Sequence, residues 1–378
     1  MFKDSFNEEI RRELLITLHE TPGIGWHTIQ KAAAFGAWSS YQRFTEEAWC
    51  SSVGLKPEQA KKVTAAFRQM DAAARSARME QLGVKVLTSF DSGYPELLAQ
   101  TPQPPWVLYM IGRIELLYRP TMAIVGTRGP TAYGRRAAAD MASQLSERGL
   151  TVVSGLARGI DSIAHEGALP LAGGTIAVLG TPADKIYPAE NRSLYREIGY
   201  GGNGLIVSEV PFGTPFHRGL FPLRNRIIAG LSLGTIVIEA AERSGSLITA
   251  DQAFDMSREV FAIPGPISSP KSEGTNKLIR TGTAKLVSTV AHVLEEYEGR
   301  LDLPLHGSAD DRSRKMSGSS ALTDHEAFIC RLLQEKPLST DELHVLTSFP
   351  FGLLHATLIN LTLKHMIEQH PGSIYSVR

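Results

Sequence analysis

Between residues 121 and 290, apolar runs of strand length alternate with helical stretches, and this limits the fold more than any other feature of the chain. The runs occupy 122–125, 151–153, 175–179, 205–208, 235–239, 260–263 and 285–287 and are rich in Val, Ile and Leu. They show no polar alternation. Strands of that kind are covered on both faces, and intervening helices supply the cover. The pattern predicts βα units and a mostly parallel sheet. In such a sheet ligands bind beyond the carboxyl ends of the strands, so the turns that follow the strands carry the functional information.

Those turns are alike. The first holds Gly126 and Arg128, in GTRGPTAYG. The second runs Ser154-Gly155-Leu-Ala-Arg158-Gly-Ile-Asp161 and opens a helix through His165. The third, GTPADKIYPAENR, carries Asn191 and Arg192. The fourth leads into His217, Arg218, Arg224, Asn225 and Arg226. The fifth carries Arg243 and Ser244-Gly245-Ser246. None is a dinucleotide fingerprint, because Gly-x-Gly-x-x-Gly is absent and Ser154-Gly155 stands where a ribose-binding acid would close the second strand. None is a Walker loop, since Gly-Lys-Ser/Thr does not occur. One small phosphate needs one such turn, whereas a row of them suits a polyanion backbone.

The stretch 213–250 concentrates these features. It predicts a basic helix, with Pro222 tolerated in the first turn and Leu223, Ile227 and Ile228 facing a core. Arg224 and Arg226 are then expected on another side, as fixed guanidinium groups. A buried strand follows, and Ser244-Gly245-Ser246 opens the next helix, whose bared N–H groups suit an anion. The competing reading of both serines is simple capping. Tyr133, Tyr187, Phe212, Phe216 and Phe221 lie near the turns. They are candidates for base stacking, with core packing the stronger expectation for most.

Composition sets the wider bounds. The 378 residues suffice for two or three domains, and 43% are hydrophobic, as in ordinary globular proteins. Formal net charge is zero, so a nucleic-acid partner requires a local patch. Residues 121–290 hold 17 Lys and Arg against 14 Asp and Glu, which makes placement the point, not total charge. Cys50 and Cys330 form no metal-spaced or redox pair, and no apolar run approaches a membrane span of ~20 residues. A cytoplasmic location without disulfides is expected.

The flanks read separately. Residues 1–82 look like a small all-α domain, with helices over 7–19, 28–35 and 57–79 and a Pro-Gly-x-Gly turn at 22–25 of helix-hairpin-helix or SAM-like type. A short strand is expected at 83–87. Residues 102–109 are taken as a proline-rich bridge into the sheet domain, 83–298. Residues 299–320 read as a flexible Gly/Ser-rich linker. Within 321–378, three helices and a pair of short strands predict a winged helix. Its third helix carries few charges, which favours protein contact over duplex reading.

The motifs VGTRGPTAYG, SGLARGIDSIAHEGAL, GTPADKIYPAEN, FPLRNRIIAGL and ERSGSLITADQA, with the later IPG and EGTNKLIRTGTAKLV, resemble the DNA-processing protein A family, also called DprA or Smf. The resemblance is dense over residues 120–290. It implies an extended Rossmann fold that binds single-stranded DNA, a homodimer, and a mediator that helps load the RecA recombinase during natural transformation. By motif, it implies strand-binding roles for Gly126, Arg128, Ser154, Gly155, Arg158, Asn191, Arg192, Arg224, Asn225, Arg226, Ser244, Gly245 and Ser246. Relatives often carry a basic residue two positions after the Asn of the YPxxN turn. Here Ser193 stands there, and Arg192 is taken as its substitute.

No catalytic set emerges: there is no His-Glu-x-x-His, no nucleophile elbow and no metal-spaced Cys/His cluster, and no cofactor is expected. His165 and His217 are expected to cap or pack. The rival from another class is a nucleoside-monophosphate phosphoribohydrolase-like enzyme, for which Gly234, Thr235 and Glu239 give a partial signature.

Overall fold

The computed structural model describes residues 2–298, 324–347, 349, 351–363, 366–370 and 374–377. The chain divides into two compact units, Met1–His306 and Gly307–Arg378. The linker expected at 299–320 lies outside the described residues.

In the first unit, helices come first: α1 (Phe2–Glu20), α2 (Trp26–Phe35), the single turn α3 (Glu46–Ala48), α4 (Pro57–Arg68) and α5 (Ala72–Gln81). The helix expected over 57–79 is broken at residues 69–71. Asp71 starts a new helix there by accepting from the Ala74 N–H at 2.9 Å, which is N-cap chemistry. The sheet strands follow: β1 (Lys85–Thr88), β2 (Val107–Gly112), β3 (Thr121–Val125), β4 (Thr151–Ser154), β5 (Thr175–Leu179), β6 (Gly204–Ser208), β7 (Gly234–Val237), β8 (Glu259–Ala262) and β9 (Lys285–Leu286). A single turn, α6 (Glu96–Ala99), lies between β1 and β2. The later helices are α7 (Ala132–Glu147), α8 (Ile160–Ala168), α9 (Arg192–Tyr200), α10 (Leu220–Leu231), α11 (Gly245–Asp255), α12 (Glu273–Arg280) and α13 (Val290–Leu294).

The strands form one nine-stranded sheet in the order β1-β2-β6-β5-β4-β3-β7-β8-β9. From β3 to β9 every pairing is parallel, as the buried βα pattern predicts. Side chains along β3 alternate between faces: Met122 and Ile124 enter one core, Ala123 and Val125 the other. Both faces are therefore apolar. The chain winds outward from β3 through β4, β5 and β6, then returns to place β7 on the other side of β3. That reversal is a topological switch point, where an open α/β sheet leaves a crevice.

Two features depart from the sequence reading. Residues 107–109, taken as the end of a proline-rich bridge, begin a buried strand, β2, antiparallel to both β1 and β6. The prolines before it obscured a run, Val-Leu-Tyr-Met-Ile, whose five residues are all buried. In addition, residues 1–82 do not close a core alone. Leu14, Ile29, Trp49 and Val63 share one apolar cluster with Val107 and Tyr109 of β2 and Ala177 of β5.

In the second unit α14 (Asp324–Glu335), β10 (Leu338–Ser339), α15 (Thr340–Thr347), α16 (Phe351–Leu363), β11 (Ile367–His370) and β12 (Ile374–Val377) make a winged helix with sheet order β10-β12-β11. Ser339 and Glu342 cap α15 reciprocally: the Glu342 carboxylate accepts from Ser339 N–H at 2.8 Å, and Ser339 Oγ accepts from Glu342 N–H at 3.3 Å. Among the described residues, no helix is long and apolar enough to cross a membrane.

His165 has the packing role expected of it. It is fully buried; Nε2 accepts from the Leu156 N–H at 3.3 Å and Nδ1 meets Thr175 Oγ1 at 2.7 Å. Both contacts use a neutral ring, and burial, helped by the Arg224 charge, pulls its pKa down to about 3. A His with a depressed folded pKa binds more protons when unfolded, so its contribution is complete above the unfolded value of about 6.5 and is lost as pH falls toward 3. Each pH unit in that window is expected to remove up to ~1.4 kcal/mol. Urea melts of the protein and of His165→Gln across pH 7 to 4 check this: the variant, without the titrating ring, shows the shallower acid-side loss.

Candidate nucleic-acid interface

The crevice at the switch point holds a pocket of about 620 Å³. Gly126 and Arg128 reach it from the end of β3, Ala157 and Asp161 from the end of β4, and Ser244, Gly245 and Ser246 from the start of α11. Arg218, Pro222, Arg224 and Asn225 close it from the start of α10. A second hollow of about 310 Å³ shares Arg128 and Arg224 and extends the trench past Gly155 to Arg158. All five turns singled out in the sequence thus reach one continuous depression, the third through Tyr187 and Pro188.

The buried centre of the trench is electrostatic. Arg224 is only 7% exposed, and its Nη1 donates to Gly155 O at 2.7 Å and to Val178 O. Arg224 lies three and four residues before Ile227 and Ile228, so it shares their inward face, while Leu223 at the margin of that face is 58% exposed. The reading that put Leu223 inside and Arg224 outside is corrected accordingly. Burial lowers the Arg224 pKa to about 10, the Asp161 carboxylate pushing it back up, so the guanidinium stays charged at neutral pH. Burial also raises Asp161, against the pull of Arg224 and of the Gly155 and Ala157 N–H groups it accepts from at 3.2 and 3.3 Å. Gly155 leaves room for the Arg224 guanidinium: a Cβ there would meet it at 2.5 Å, so a side chain at 155 would have to displace Arg224 from its carbonyls. Gly159 has φ 82°, and a Cβ on it would strike Thr127 O at 2.5 Å, so the β3 and β4 turns touch backbone to backbone.

The exposed cations are Arg128, Arg158 and Arg218. Arg158 forms an open ion pair with Glu190 at 3.0 Å, worth little in water. Ser244 Oγ accepts from Ser246 N–H at 3.4 Å and meets Ser246 Oγ at 2.7 Å, so the serines cap α11. Asn225 Nδ2 donates to Gly245 O at 3.4 Å and ties α10 to that turn.

Other expected residues are elsewhere. Ser154 is buried beneath the floor and donates to Ile124 O at 2.6 Å. Asn191 donates to Leu156 O at 2.9 Å and Ser162 Oγ at 2.8 Å, so it positions the β4 turn. Arg192 is exposed at the start of α9 and lines neither hollow. Arg226 points away from the trench and holds Glu209 with both carboxylate oxygens at 2.6 Å. Of Arg128, Arg158, Arg226 and Ser244, all implied as strand contacts by the motifs, three line the trench and Arg226 does not. Arg218, absent from the list implied by the family motifs, stands in the trench wall. Its position just before α10 was the available signal.

Of the aromatics, Tyr187, Phe216 and Phe221 form a cluster at the trench mouth, with centroids 5.1 to 5.8 Å apart, and Tyr187 and Phe216 are exposed. Phe212 packs against Tyr109, and Tyr133 donates to Pro264 O at 2.7 Å. Glu239 is buried and accepts from Thr131 N–H at 2.9 Å and Thr131 Oγ1 at 2.5 Å, so its carboxylate fastens the start of α7.

Residues 85–298 match the model of the DNA recombination-mediator protein A family, and residues 314–373 match the DprA winged helix domain. The chain belongs to the DNA recombination-mediator protein A family. Relatives include the Smf protein of Synechocystis, 37% identical over 79% of this chain and 81% of its own, and the DNA processing protein DprA of Streptococcus pneumoniae, 44% identical over 55% and 72%. The X-ray structure of the pneumococcal DprA aligns with TM-score 0.66 and 36% identity, covering 75% of this chain and 97% of that one. A Helicobacter pylori DprA structure, described for its single-stranded DNA binding mode, aligns with TM-score 0.52 and 33% identity over 57% and 96%. Every trench residue lies inside the family match, whereas helices α1 to α5 lie outside it.

The buried guanidinium yields a stability prediction. Arg224→Ala leaves two carbonyls unpaired and a void beneath Gly155, and is expected to cost about 3 kcal/mol. Chemical denaturation checks it. Arg226→Ala breaks only the pair with Glu209, and a smaller loss is expected.

Proposed function

We propose that the trench binds the backbone of single-stranded DNA and that the protein acts as a recombination mediator of the DprA type. One observation carries the reading: Arg128, Arg158 and Arg218 ring a depression that also opens onto the N-terminus of α11, at the switch point of the sheet. Successive phosphates thereby find guanidinium groups and bare N–H donors along one line. The exposed Tyr187 and Phe216 at its mouth offer faces to unstacked bases. The single-stranded DNA named for the Helicobacter pylori relative supports the same ligand.

The finer parts of the reading are that the protein helps load RecA onto the strand during natural transformation, that two copies act together, and that it works in the cytoplasm as a binding protein, not an enzyme. The family resemblance supports them. The nucleotide-cleaving alternative is not favoured, because the one carboxylate in its partial signature, Glu239, is spent on Thr131.

Anisotropy titrations with oligo(dT) over a salt series test this. Binding is expected to weaken linearly in log salt, and Arg128→Ala and Arg218→Ala each to reduce the slope by about 1. Equal affinity for duplex and single strand contradicts the reading. A chain ending at residue 306, where the first compact unit ends, is expected to keep its strand affinity.

A further inference from the structure

On the other side of α10 lies a pocket of about 540 Å³, which the FPLRNRIIAGL motif borders only along that helix. Its walls come from the Pro22–Gly25 turn, from Trp26 and Trp106, from residues 209–215, and from Leu220 and Leu223 of α10. The turn and Trp26 belong to the helical region outside the family match. Trp106 arrives because β2 runs antiparallel to β6. Its entry therefore lies beside the exit of β6, with Tyr109 opposite Ser208.

The pocket is built to present flat apolar surface. Trp26 Nε1 donates to Pro104 O at 2.7 Å and Trp106 Nε1 donates to Trp26 O at 3.2 Å. Both indole N–H groups are thus satisfied by backbone, and what the half-buried rings offer is their faces and edges. Their centroids are 5.7 Å apart at 33°, too close to admit a third ring between them. A planar guest must lie against the pair. The charged groups in the lining have partners: Arg226 pairs with Glu209 at 2.6 Å, Glu20 pairs at 3.1 Å with Arg75, which lies outside the lining, and Arg224 donates to Gly155 O and Val178 O. His19 is held by Glu209 O at 2.7 Å, and burial pulls its pKa down, which keeps it neutral. With its charges paired and its indoles presenting faces and edges, such a lining favours a neutral, flat group.

The pocket and the trench are neighbours. Arg224 contributes to both, and only the 213–219 loop and the first turn of α10 divide them. The crest of that divide is apolar and open, with Phe216 54% and Leu223 58% exposed. An exposed aromatic and an exposed leucine on a ridge between a cationic trench and an aromatic pocket form a continuous path for a polymer with charged backbone and flat side groups.

We infer that the pocket receives an unstacked nucleobase of the same single strand whose phosphates lie in the trench, the strand crossing α10 at Phe216 and Leu223. The inference rests on the strand-binding reading above and extends its footprint onto the N-terminal helices. Because every base has a π-face, the pocket adds affinity without reading sequence.

Intrinsic fluorescence of the full chain tests it. Of the four tryptophans, Trp38 and Trp49 are buried in the helical core, while Trp26 and Trp106 line the pocket. Oligo(dT) of increasing length is expected to quench emission only once it is long enough to cross the ridge, with a step up in affinity at that length. Trp26→Ala is expected to abolish most of the quenching and to weaken long oligonucleotides roughly tenfold, the scale of one lost stacked base, while leaving short ones and the salt slope unchanged. Leu223→Ala, at an exposed position that folding does not depend on, is expected to give a several-fold loss in the same length-dependent way. Quenching that is independent of length, equal quenching by free thymidine monophosphate, or wild-type behaviour of Leu223→Ala overturns the inference. The trench reading survives those results provided Arg128→Ala still lowers the salt slope. Loss of that effect marks failure of the trench itself.

Discussion

The first unit depends on one buried cation. Arg224 stands where α10 meets the ends of β4 and β5, and it donates to a carbonyl from each. A guanidinium in such a place is costly unless its donors are used. Using them fixes three segments at once: the start of α10, the glycine turn after β4 and the end of β5. Asp161, held by two N–H groups of that same turn, supplies the balancing charge. The exposed arginines around it then need only short, rigid supports to face one way. A residue that the motif places among the strand's contacts thus gives shape to the surface on which the others act.

Much of this was legible in the chain. The β-branched runs with both faces apolar required a covered parallel sheet, and the turns at their ends announced where a ligand belongs. What the sequence concealed followed from geometry beyond local pattern. Arg224 and Arg226 are two residues apart on one helix, so they project to different sides, and only packing decides which is enclosed. Here Ile227 and Ile228 draw the helix inward and take Arg224 with them, leaving Arg226 to pair with Glu209. Ser154 and Asn191 have the polarity of ligand contacts, yet they serve the backbone of the turns. A carbonyl that must be satisfied leaves no mark in the sequence at the residue that satisfies it.

The strand β2 was hidden for another reason. Pro102, Pro104 and Pro105 precede it and read as punctuation, which they are, but the apolar run after them is fully paired on both sides. Its partners lie 20 residues back and nearly 100 ahead. The same long-range pairing joins the helical region to the sheet through one apolar cluster, so the first 82 residues and the sheet are packed as a single body.

The reversed direction of β2 also sorts its two flanking connections. The segment that enters it emerges on the rim where the parallel strands end, whereas the segment that leaves it, beyond Gly112, emerges on the rim where they begin. Insertions or deletions at 100–106 would therefore remodel the working edge of the molecule, and equal changes at 113–120 would be felt only at its back. Divergence in length among family members should be read with that polarity in mind.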